Sequence, residues 1–410
     1  MKILYICHRF PYPPKRGGKI RPFNMIKHLT AQGHDVTVAS LVRSTFEARE
    51  GEGLRQHCAR LIMEQISKSA ALVRMLARLP TQMPSSTGYF YSPRLQRRIE
   101  AALADTAFDL IFVHCSSVAQ YVADVKHIPK MLDFGDMDSQ KWLLYSKQRR
   151  FPLSIGYLIE GLKLQRYEKK MAGLFDYCTC TTKAELLTLD SYQTEARTGW
   201  FPNGVDTDYF APVAAAYDPD QICFIGRMDY YPNQQAMLHF CGAILPALRE
   251  RRPQIKLVIV GAEPPPAIRK LGDRPGVTVT GSVPDVRPFV TASALTVAPL
   301  FIARGTQNKI LESMAMGVPV VAGDHAAAGV DAVPGEHLLT GSTSDEFVAA
   351  ILQLVENSQE RARFSRAARQ RVMSHHNWAH SMSSLDALIG KCMTNSNAKG
   401  GQVSVCQRAH

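Results

Sequence analysis

Two series of apolar segments, alternating with segments of helical period, set the strongest limit on the fold. These segments are short, rich in Val and Ile, and lack the polar alternation of a half-exposed strand. Strands of this kind are buried on both faces, so we expect parallel sheets covered by helices. Two series predict two doubly wound, Rossmann-like α/β domains. The expected strands are 2–7, 36–40, 110–115, 130–134 and 177–181, and then 222–225, 256–260, 277–280, 295–298 and 318–322.

The chain length and its turn-rich stretches indicate the domain organisation. A chain of 410 residues is too long for one ordinary core. The stretch NGVDTDYFAPVAAAYDPDQ is rich in turn formers and marks the seam between the domains. We therefore expect an N-terminal domain at 1–210 with an insertion at about 44–108, a C-terminal domain at 211–375, a helix at 376–393 that packs back on the N-terminal domain, and a disordered tail at 394–410.

The net charge of +12 belongs almost wholly to the first half of the chain. Residues 1–200 hold 29 Lys and Arg against 18 Asp and Glu, whereas residues 201–410 hold 19 against 18. An anionic lipid surface, a lipid-linked phosphate or a nucleic acid could attract this charge, and a merely solvated basic face is the alternative. No nucleic-acid-binding module is recognisable, so no nucleic-acid partner is expected. The basic clusters are Arg94, Arg97 and Arg98; Lys141, Lys147, Arg149 and Arg150; and Lys163, Arg166, Lys169 and Lys170.

Apolar runs and cysteines both indicate a cytoplasmic protein. No apolar run reaches the ~18 residues of a membrane-spanning helix. The N-terminal MKILYICHRFP stops being apolar too soon for a signal peptide and is typical of a first core strand. The nine cysteines form no CxxC pair, and several lie inside strand-like segments. They are expected to be small core side chains rather than zinc ligands or disulfides.

A glycine pair, Gly17-Gly18, follows the first strand and precedes a helical segment. Such a turn can bring backbone N–H groups close to an anion, although a glycine pair before a helix is also a common plain turn. The loop lacks the G-x-G-x-x-G spacing of a dinucleotide site, which argues against a nicotinamide enzyme. The neighbouring cations are Lys15, Arg16, Lys19 and Arg21.

The second series of strands opens with one that ends in Gly226-Arg227. Ligands of open α/β sheets bind at the carboxyl ends of the strands, so an Arg directly after the strand is well placed to meet one. Its planar fork of donors suits a phosphate, and a surface salt bridge is the alternative interpretation.

The segment APLFIARGTQNKILESMAMGVPVVA places a polar loop at the start of a helix. The loop should supply free backbone N–H groups, with the positive end of the helix dipole behind them and the charge of Lys309 beside them. Glu312 lies one turn further on, where its carboxylate could accept hydrogen bonds from two sugar hydroxyls. A capped helix with a solvated glutamate is the alternative. The polar residues of the loop are Arg304, Thr306, Gln307 and Asn308.

Taken together, these motifs resemble the retaining glycosyltransferases of family 4, which have the GT-B fold. QNKILESMAMGVPVVA, the strand-ending Gly-Arg pair, PNGVD at 202–206 and the glycine pair of the first loop occur in the family's order and spacing. The match covers the chain up to about residue 390. It implies two Rossmann-like domains that face each other across a cleft, with the donor held by one and the acceptor by the other.

A narrower resemblance is carried by MDYYPN at 228–233, VPDVRPF at 283–289 and the APLFIARGTQNKILESMAMG segment. These are similar to the sugar transferases associated with exopolysaccharide loci of the PEP-CTERM/exosortase system. They imply a role in exopolysaccharide biosynthesis.

The family resemblance implies a role for each matching residue. Glu312 would bind the ribose hydroxyls of a nucleotide, and Arg227 its diphosphate. His114 would lie near the hydroxyls of the donor sugar. The expected catalytic residues are therefore Arg227, Lys309 and His114, and the expected donor-binding residues are Gly17, Gly18, Gly226, Arg304, Thr306, Gln307, Asn308 and Glu312.

Two positions depart from the family pattern. The family has two glutamates separated by seven residues, and the earlier position here is Arg304. A guanidinium cannot replace a carboxylate that touches the transferred sugar, so either a donor that bears a carboxylate or extra phosphate binding is implied. The lysine usually found five residues after the phosphate-binding arginine is absent, because Pro232 occupies that position.

The implied reaction moves a sugar from a nucleotide diphosphate donor to a hydroxyl acceptor and retains the anomeric configuration. Cationic side chains and helix N–H groups would stabilise the leaving diphosphate, so neither a metal nor any cofactor besides the co-substrate is expected. The three aspartates of LDFGDMDS at 132–139 are interpreted as turn formers, with a metal site as the alternative. The expected acceptor is a glycan on a polyprenyl diphosphate at the inner face of the cytoplasmic membrane, whose anionic surface the basic first domain would bind.

Two other functions remain open on the sequence. A nucleotide-sugar epimerase of the same architecture would also bind a nucleotide diphosphate sugar. A non-catalytic binding protein would fit the replacement of a glutamate by Arg304. Glu168 and Glu185, in helices of the first domain, are interpreted as structural.

Overall fold

The structure is a computed structural model that describes residues 1–14, 17–214 and 216–406, with side chains described up to Thr394. The chain divides into two compact units. The first unit consists of Met1–Phe201 and of the chain from Met382 onwards, and the second consists of Pro202–Ser381.

Within the described residues, seven strands form the parallel sheet of the first unit. They are β1 (Lys2–Cys7), β2 (Asp35–Val42), β3 (Arg60–Gln65), β4 (Leu110–His114), β5 (Lys130–Asp133), β6 (Tyr177–Cys180) and β7 (Arg197–Trp200). Their order in the sheet is β3-β2-β1-β4-β5-β6-β7. The connecting helices are α1 (Gly17–Ala31), α2 (Thr45–Gly51), α3 (Lys68–Ala77), α4 (Ser85–Tyr89), α5 (Pro93–Asp105), α6 (Asp138–Gln148), α7 (Leu153–Ala172) and α8 (Lys183–Asp190).

The described part of the second unit contains a six-stranded parallel sheet. Its strands are β8 (Asp218–Ile225), β9 (Lys256–Val260), β10 (Val277–Gly281), β11 (Ser293–Ala298), β12 (Val320–Gly323) and β13 (Leu339–Gly341), in the order β10-β9-β8-β11-β12-β13. The helices are α9 (Tyr231–His239), α10 (Leu245–Arg251), α11 (Pro266–Arg269), α12 (Arg287–Thr291), α13 (Asn308–Ala315), α14 (Asp324–Ala327), α15 (Ser344–Glu356), α16 (Ser358–His375) and α17 (Trp378–Cys406).

The central strands are buried on both faces, as their continuous apolar sequences predict. Every residue of β4 is buried, and so is every residue of β1 after Lys2. The parallel register places Tyr5 beside Phe112, and the two rings stack with their centroids 5.0 Å apart. Burial of each such side chain contributes about 1.5–3 kcal/mol. The predicted fold class, two doubly wound α/β domains, is confirmed.

Both sheets reverse their strand order at one point, between β1 and β4 in the first unit and between β8 and β11 in the second. The connections on either side of this point run to opposite faces of the sheet. The carboxyl ends of the two strands are therefore left open for a ligand. His114 ends β4, and Gly226 follows β8, so both predicted site segments lie at these points.

Three strands escaped the sequence analysis, namely β3, β7 and β13. β3 and β7 are the edges of the first sheet, and β13 is an edge of the second. Edge strands are partly exposed and carry polar residues, as RTGW of β7 does, so their sequences lack the apolar run on which the analysis depended. Because β3 pairs with β2, the segment expected as an insertion at 44–108 also contributes a strand to the sheet.

The division between the units falls after Phe201, earlier than the turn-rich stretch indicates. Val205 forms a parallel bridge with Asn377, and the His376 ring bonds to the Asn203 carbonyl, which ties residues 202–206 to the second unit. α17 begins in the second unit and, from Met382, belongs to the first. The helix expected at 376–393 is longer, because α17 continues to Cys406, so the prediction of a disordered tail from residue 394 is wrong up to that residue. The rest of the predicted tail, 407–410, lies outside the described residues.

The cysteines are core side chains. All eight cysteines whose side chains are described are free and buried. Burial raises the pKa of the Cys7 and Cys223 thiols to about 12, so these groups remain protonated and act as small apolar side chains.

Candidate functional site

Two loops of the second unit come into backbone contact at the carboxyl edge of its sheet. Gly226 follows β8 and Gly261 follows β9, the adjacent strand. A Cβ on Gly261 would lie 1.8 Å from the Gly226 carbonyl oxygen, and a Cβ on Gly226 would lie 2.8 Å from Nδ2 of Asn233 and 3.1 Å from Nζ of Lys309. Neither position has room for a methyl group, and the glycine at 226 lets a lysine and an asparagine reach the end of β8.

Lys309 lies in the first turn of α13 and reaches back towards β8. Its ammonium donates a hydrogen bond of 2.6 Å to Oδ1 of Asn233 and lies 4.5 Å from the centroid of the Phe224 ring. Burial lowers the pKa of Lys309 to about 7, against a smaller opposing effect of Glu312. An anion placed beside this ammonium would favour its charged form, so the position suits a phosphate.

Glu312 lies three residues after Lys309, on the neighbouring part of the same helix. Burial raises the pKa of Glu312 to about 7, and the charge of Lys309 opposes that rise. The two side chains are thus an acid and a base that are both poised to change charge near neutral pH. Such shifts concentrate at functional sites because they arise where charged groups are partly withdrawn from water.

Arg227 is held by two carboxylates in the structure. Its guanidinium donates to both carboxylate oxygens of Asp229, at 3.0 and 2.9 Å, and to Oε2 of Glu263 at 2.6 Å. Asp229 and Glu263 are exposed, and hydrogen bonding by Asp229 raises the pKa of Arg227. The sequence predicts a phosphate partner for this arginine, but no local pattern indicates the two acidic side chains that hold it in the structure.

The loop before α13 has a shape fixed by glycine. Gly305 has a φ of +63°, and a Cβ on Gly329 would lie 2.0 Å from the Gly305 carbonyl oxygen. Gln307 is the N-cap of α13, and its side chain makes no capping hydrogen bond to the helix but donates instead to the Arg304 carbonyl. The helix start is therefore without a side-chain cap, as the sequence predicts. Arg304, Thr306, Gln307 and Asn308 are all partly buried around it.

Asn233 is the residue of this site that sequence reasoning missed. Its Nδ2 donates to the Arg227 carbonyl at 2.7 Å while its Oδ1 accepts from Lys309. It is buried, and one amide therefore joins the backbone after β8 to the cation of α13. The pattern that could have indicated it is MDYYPN, where a polar asparagine follows Pro232 in the first turn of a helix.

In the first unit, the glycine pair opens α1 directly. Gly17 and Gly18 are its first two residues, and a Cβ on Gly18 would lie 3.4 Å from the Arg9 guanidinium. Lys15 and Arg16 lie outside the described residues. Lys19 donates 2.6 Å to Glu47 rather than remaining free for an anion.

Arg21 is buried in the core and does not line the glycine loop as expected. It donates to both carboxylate oxygens of Asp133, at 2.9 and 3.1 Å, and its guanidinium stacks 3.6 Å above the Phe201 ring. The reason is helix phase: Arg21, Met25 and Leu29 recur every four residues and share the buried face of α1.

His114 belongs to the same buried network. Its Nδ1 lies 2.8 Å from Oδ2 of Asp133, and Thr179 donates 3.0 Å to the other carboxylate oxygen. Burial alone would raise the pKa of Asp133, but Arg21 and His114 hold it well below its usual value. The permanent carboxylate fixes the ring and its Nδ1 proton. The expected role of His114 beside the donor sugar stays a prediction.

The three neighbouring aspartates have separate partners. Asp133 binds Arg21 and His114, Asp136 accepts 2.8 Å from Thr181, and Asp138 begins α6. Among the described residues, no group of three or more His, Cys, Asp or Glu side chains is placed to hold a metal ion.

Glu168 and Glu185 hold the start of α6, in agreement with their interpretation as structural residues. Glu168 accepts from the Ser139 amide at 3.0 Å and from the Tyr192 hydroxyl at 2.8 Å, and Glu185 accepts from the Met137 amide at 2.9 Å. These carboxylates satisfy N–H groups that the helix start leaves without partners. Burial raises the pKa of Glu168 to about 7.

The sequence matches two family models. Residues 16–209 match the model described as Glycosyltransferase Family 4, and residues 219–357 match the model described as Glycosyl transferases group 1. The two matches together cover most of the chain, one in each half.

Solved structures with a similar fold include a sucrose-phosphate synthase from Thermosynechococcus elongatus, with a TM-score of 0.70 and 16% identity over 96% of this chain and 100% of that chain. Anabaena Alr3699/HepE in complex with UDP has a TM-score of 0.68 and 15% identity over 95% of this chain and 100% of that chain. An uncharacterized 44.6 kDa protein in the cps region of Klebsiella pneumoniae is 20% identical over 373 residues, which are 87% of this chain and 91% of that protein.

A pair of doubly wound units, with a cation and a carboxylate at the open edge of the second sheet, defines with these matches a glycosyltransferase of the GT-B class. The chain belongs to glycosyltransferase family 4. The resemblance to glycosyltransferase family 4 and the prediction of an enzyme are thereby confirmed, whereas the narrower resemblance to PEP-CTERM/exosortase-associated transferases stays a prediction.

Proposed function

We propose that the enzyme transfers a sugar from a nucleotide diphosphate donor to a hydroxyl acceptor with retention of the anomeric configuration. The observation that carries the proposal is the group formed by Lys309, Glu312 and Asn233 beside the glycine contact at the end of β8. It offers a cation for a diphosphate and a carboxylate for a pair of hydroxyls in one place. Anabaena HepE, whose fold is similar, is known in complex with UDP and with UDP-glucose.

Negative charge builds on the diphosphate as the bond to the sugar breaks, and this charge must be stabilised. Lys309 and the uncapped N–H groups of α13 are positioned before the reaction, so they can stabilise the leaving group without reorganisation. Arg227 reaches the same edge once its guanidinium leaves Glu263. The proposed transfer needs no cofactor besides the donor, which is a co-substrate.

Glu312 is proposed to hold the ribose of the donor. A carboxylate accepts two hydrogen bonds from neighbouring hydroxyls when it is ionised. In the donor complex, hydrogen bonds donated by the ribose hydroxyls would favour the ionised form of Glu312. Donor binding would then set both side chains to their charged states.

The acceptor is proposed to be a glycan on a polyprenyl diphosphate in exopolysaccharide biosynthesis, at the inner face of the cytoplasmic membrane. The relative from the Klebsiella cps region and the sequence similarity to PEP-CTERM/exosortase-associated transferases support this assignment. The basic first half of the chain supports an anionic membrane surface as a further partner.

The test is a thermal-shift screen against nucleotide diphosphate sugars, followed by transfer to a soluble acceptor analogue with NMR assignment of the product anomer. We expect one donor to stabilise the protein and to be transferred with retention. Glu312→Gln should weaken donor binding about 10-fold or more, because a charge-assisted hydrogen bond contributes ~1.5–3 kcal/mol. The matched control is Glu336→Gln, at an exposed glutamate of the same unit, which should bind donor normally.

Three outcomes would count against this function. Inversion of the anomeric centre would exclude the retaining mechanism. Conversion of the donor sugar to an epimer without any acceptor would indicate an epimerase. Normal binding by Glu312→Gln would remove the observation on which the donor site depends.

A further inference from the structure

Two short stretches of the first unit hold an unusual share of its exposed apolar surface. Among the described residues, 22 large apolar side chains are exposed, and eleven of them lie within 72–83 and 151–162. The first stretch is the second half of α3 and the chain after it, and the second is the α6–α7 turn and the first half of α7. Single exposed apolar side chains need no explanation, but a contiguous group marks an interaction surface.

The exposed side chains of α7 form a stripe along the helix. Ile155, Leu158, Ile159 and Leu162 are spaced by three, four and seven residues and are all exposed. The same helix buries its opposite side through Leu164 and others against the unit's core. A helix of a soluble domain normally has one apolar side, which faces the core. α7 has a second one, which faces solvent.

The two stretches belong to one surface. The Lys163 ammonium donates to the Leu79 carbonyl at 2.8 Å, and the buried Glu160 carboxylate accepts from the amides of Ser85 and Ser86 at 3.1 and 3.0 Å. The end of α3 and the start of α4 are therefore fixed against the middle of α7. Leu76 and Leu79 on one side and Ile159 and Leu162 on the other are exposed around these contacts.

The exposed charges that the segments of this surface carry all have one sign. Segments 66–92 and 139–172 together contain eleven Lys and Arg, and their only acidic residues are Glu160 and Glu168. Both glutamates are buried and accept hydrogen bonds from backbone amides. An apolar surface ringed by cations alone complements a partner that is apolar and anionic, which is the chemistry of a bilayer with acidic headgroups.

This surface lies beyond the carboxyl edge of the first sheet. α7 leads into β6, and the Cys178 thiol of that strand contacts the Ala172 carbonyl at the helix end. From Ala172 back to Leu153 the helix is about 28 Å long, whereas a four-residue strand spans only about 10 Å. The first half of α7 therefore extends past the edge of the sheet at which His114 lies.

We propose that the exposed sides of α3 and α7 form a membrane-docking surface that inserts its apolar side chains between the headgroups of an anionic bilayer. No helix of the described chain is both long and apolar enough to cross a membrane, so the contact is one of a helix lying in the interface. This inference assigns the membrane partner of the proposed function to a defined surface of the first unit. It rests on the proposed function for its biological meaning.

The basic cluster of α5 is a different case and provides a control. Arg94 and Arg98 lie 3.7 Å from the carboxylate of Glu64, which offsets part of their charge. α5 buries its apolar side and exposes no large apolar residue among those described. Charge at α5 can attract a membrane at a distance but offers no apolar side chain for insertion.

The experiment is flotation of the full-length protein with vesicles of phosphatidylglycerol and phosphatidylcholine, compared with pure phosphatidylcholine vesicles, at physiological salt. We expect binding to the anionic vesicles only. Leu158→Glu with Ile159→Glu should reduce partitioning at least 10-fold, whereas Leu187→Glu, at an exposed leucine of α8, should not change it. Lys147→Gln with Arg150→Gln should reduce it roughly 30-fold, and Arg94→Gln with Arg97→Gln less than 3-fold.

Transfer to the water-soluble acceptor analogue is measured in parallel and should be unchanged in the Leu158→Glu, Ile159→Glu protein. This readout separates the two proposals, because vesicle binding needs neither donor nor acceptor. The inference is overturned if the wild-type protein does not float with anionic vesicles, or if the α7 and α8 variants partition equally. It is also overturned if the variants lose a dimer or a complex with an acidic protein but keep vesicle binding.

Discussion

The two units gather charged side chains at corresponding points of their sheets and treat them in opposite ways. In the first, Arg21 and His114 are buried and each is bonded to the buried Asp133, whose pKa is held well below its usual value. In the second, Lys309 and Glu312 are only partly buried, and the pKa of each lies at about 7.

The comparison shows that charged side chains near strand ends can serve two purposes, namely stability of the fold and binding of a ligand. A carboxylate bonded to Arg21, His114 and Thr179 is satisfied within the fold, so its ionised form is favoured there and its loss would leave a buried guanidinium uncompensated. Lys309 and Glu312 do not fully compensate each other for the cost of burial, so the pKa of each lies near 7. A bound ligand can therefore determine their protonation states. The first arrangement holds structure, and the second is suited to binding.

The largest effect on stability is expected at the buried carboxylate of Asp133. Asp133→Ala should lower the free energy of unfolding by about 3–5 kcal/mol, because the buried Arg21 guanidinium loses the carboxylate that balances its charge. Denaturation by urea with circular dichroism measures the change. Asp133→Leu combined with Arg21→Met should recover much of the loss, since no buried charge then remains. Equal losses in the single and double variants would contradict this account of the network.

A smaller effect, on binding rather than stability, is expected at Lys309. Lys309→Met should weaken binding of the nucleotide diphosphate about 10- to 100-fold, because a hydrogen bond to a charged group contributes about 1.5–3 kcal/mol. Its stability should match or exceed the wild type, since burial already disfavours the ammonium. Calorimetric titration measures the loss of affinity, and urea denaturation measures the free energy of unfolding. Lys256→Met, at an exposed lysine of the same sheet, is the matched control.

The pKa values of the pair also predict a dependence on pH. As the pH rises above about 7, Lys309 loses its proton, and nucleotide diphosphate binding should weaken by up to 10-fold per pH unit. In the free enzyme the unfolded state binds the extra lysine proton above pH 7, so Lys309 should make the free energy of unfolding rise with pH until about pH 9, where the buried cysteines keep their protons in the folded state and oppose the rise. Between pH 4.5 and 7 Glu312 binds the extra proton in the folded state, and the free energy should fall.

Titrations of binding and of stability at a series of pH values test both directions. In Lys309→Met the loss of affinity above pH 7 should disappear. In Glu312→Gln the fall in stability between pH 4.5 and 7 should be reduced to the part that Glu168 contributes. Unchanged profiles in these variants would assign the pH dependence to other groups.

The smallest effect is expected at Glu263. Its carboxylate holds the Arg227 guanidinium at 2.6 Å, and both side chains are well exposed to solvent. Glu263→Gln should therefore raise nucleotide diphosphate affinity only a few-fold, since an exposed ion pair contributes about 0–1 kcal/mol. Calorimetry measures the gain, and Glu336→Gln serves as the control. A loss of affinity would instead show that Glu263 itself contacts the ligand.

The sequence predicted the parts of the structure that depend on local pattern. Buried central strands have continuous apolar runs, and Lys309 and Glu312 belong to one helix, so spacing alone relates them. Asn233 joins the same site from α9 and Glu263 from the loop after β9, at distances along the chain of 76 and 36 residues from the groups they bond. No local pattern specifies such pairings.

The position of Arg21 was predicted wrongly although the local sequence pattern around it was interpreted correctly. Its nearness to Gly17-Gly18 indicated an anion-binding cation, yet its four-residue spacing from Met25 placed it on the buried face of α1. The buried Asp133 that receives it comes from a strand 112 residues away. The four-residue spacing that places Arg21 on the buried face can be recognised in the sequence. The carboxylate that compensates the charge of the buried arginine cannot.

The close backbone approach at Gly226, Gly261, Gly305 and Gly329 bears on how this enzyme could be redesigned. A substituent on Gly261 or Gly329 would meet a backbone carbonyl, one on Gly226 would meet the side chains of Asn233 and Lys309, and Gly305 has a positive φ that other residues rarely adopt. The rim of the proposed donor site therefore cannot be reshaped through these four positions. Libraries that aim at a new sugar preference should leave the four glycines intact and vary the side chains above them, beginning with the arginine at 304.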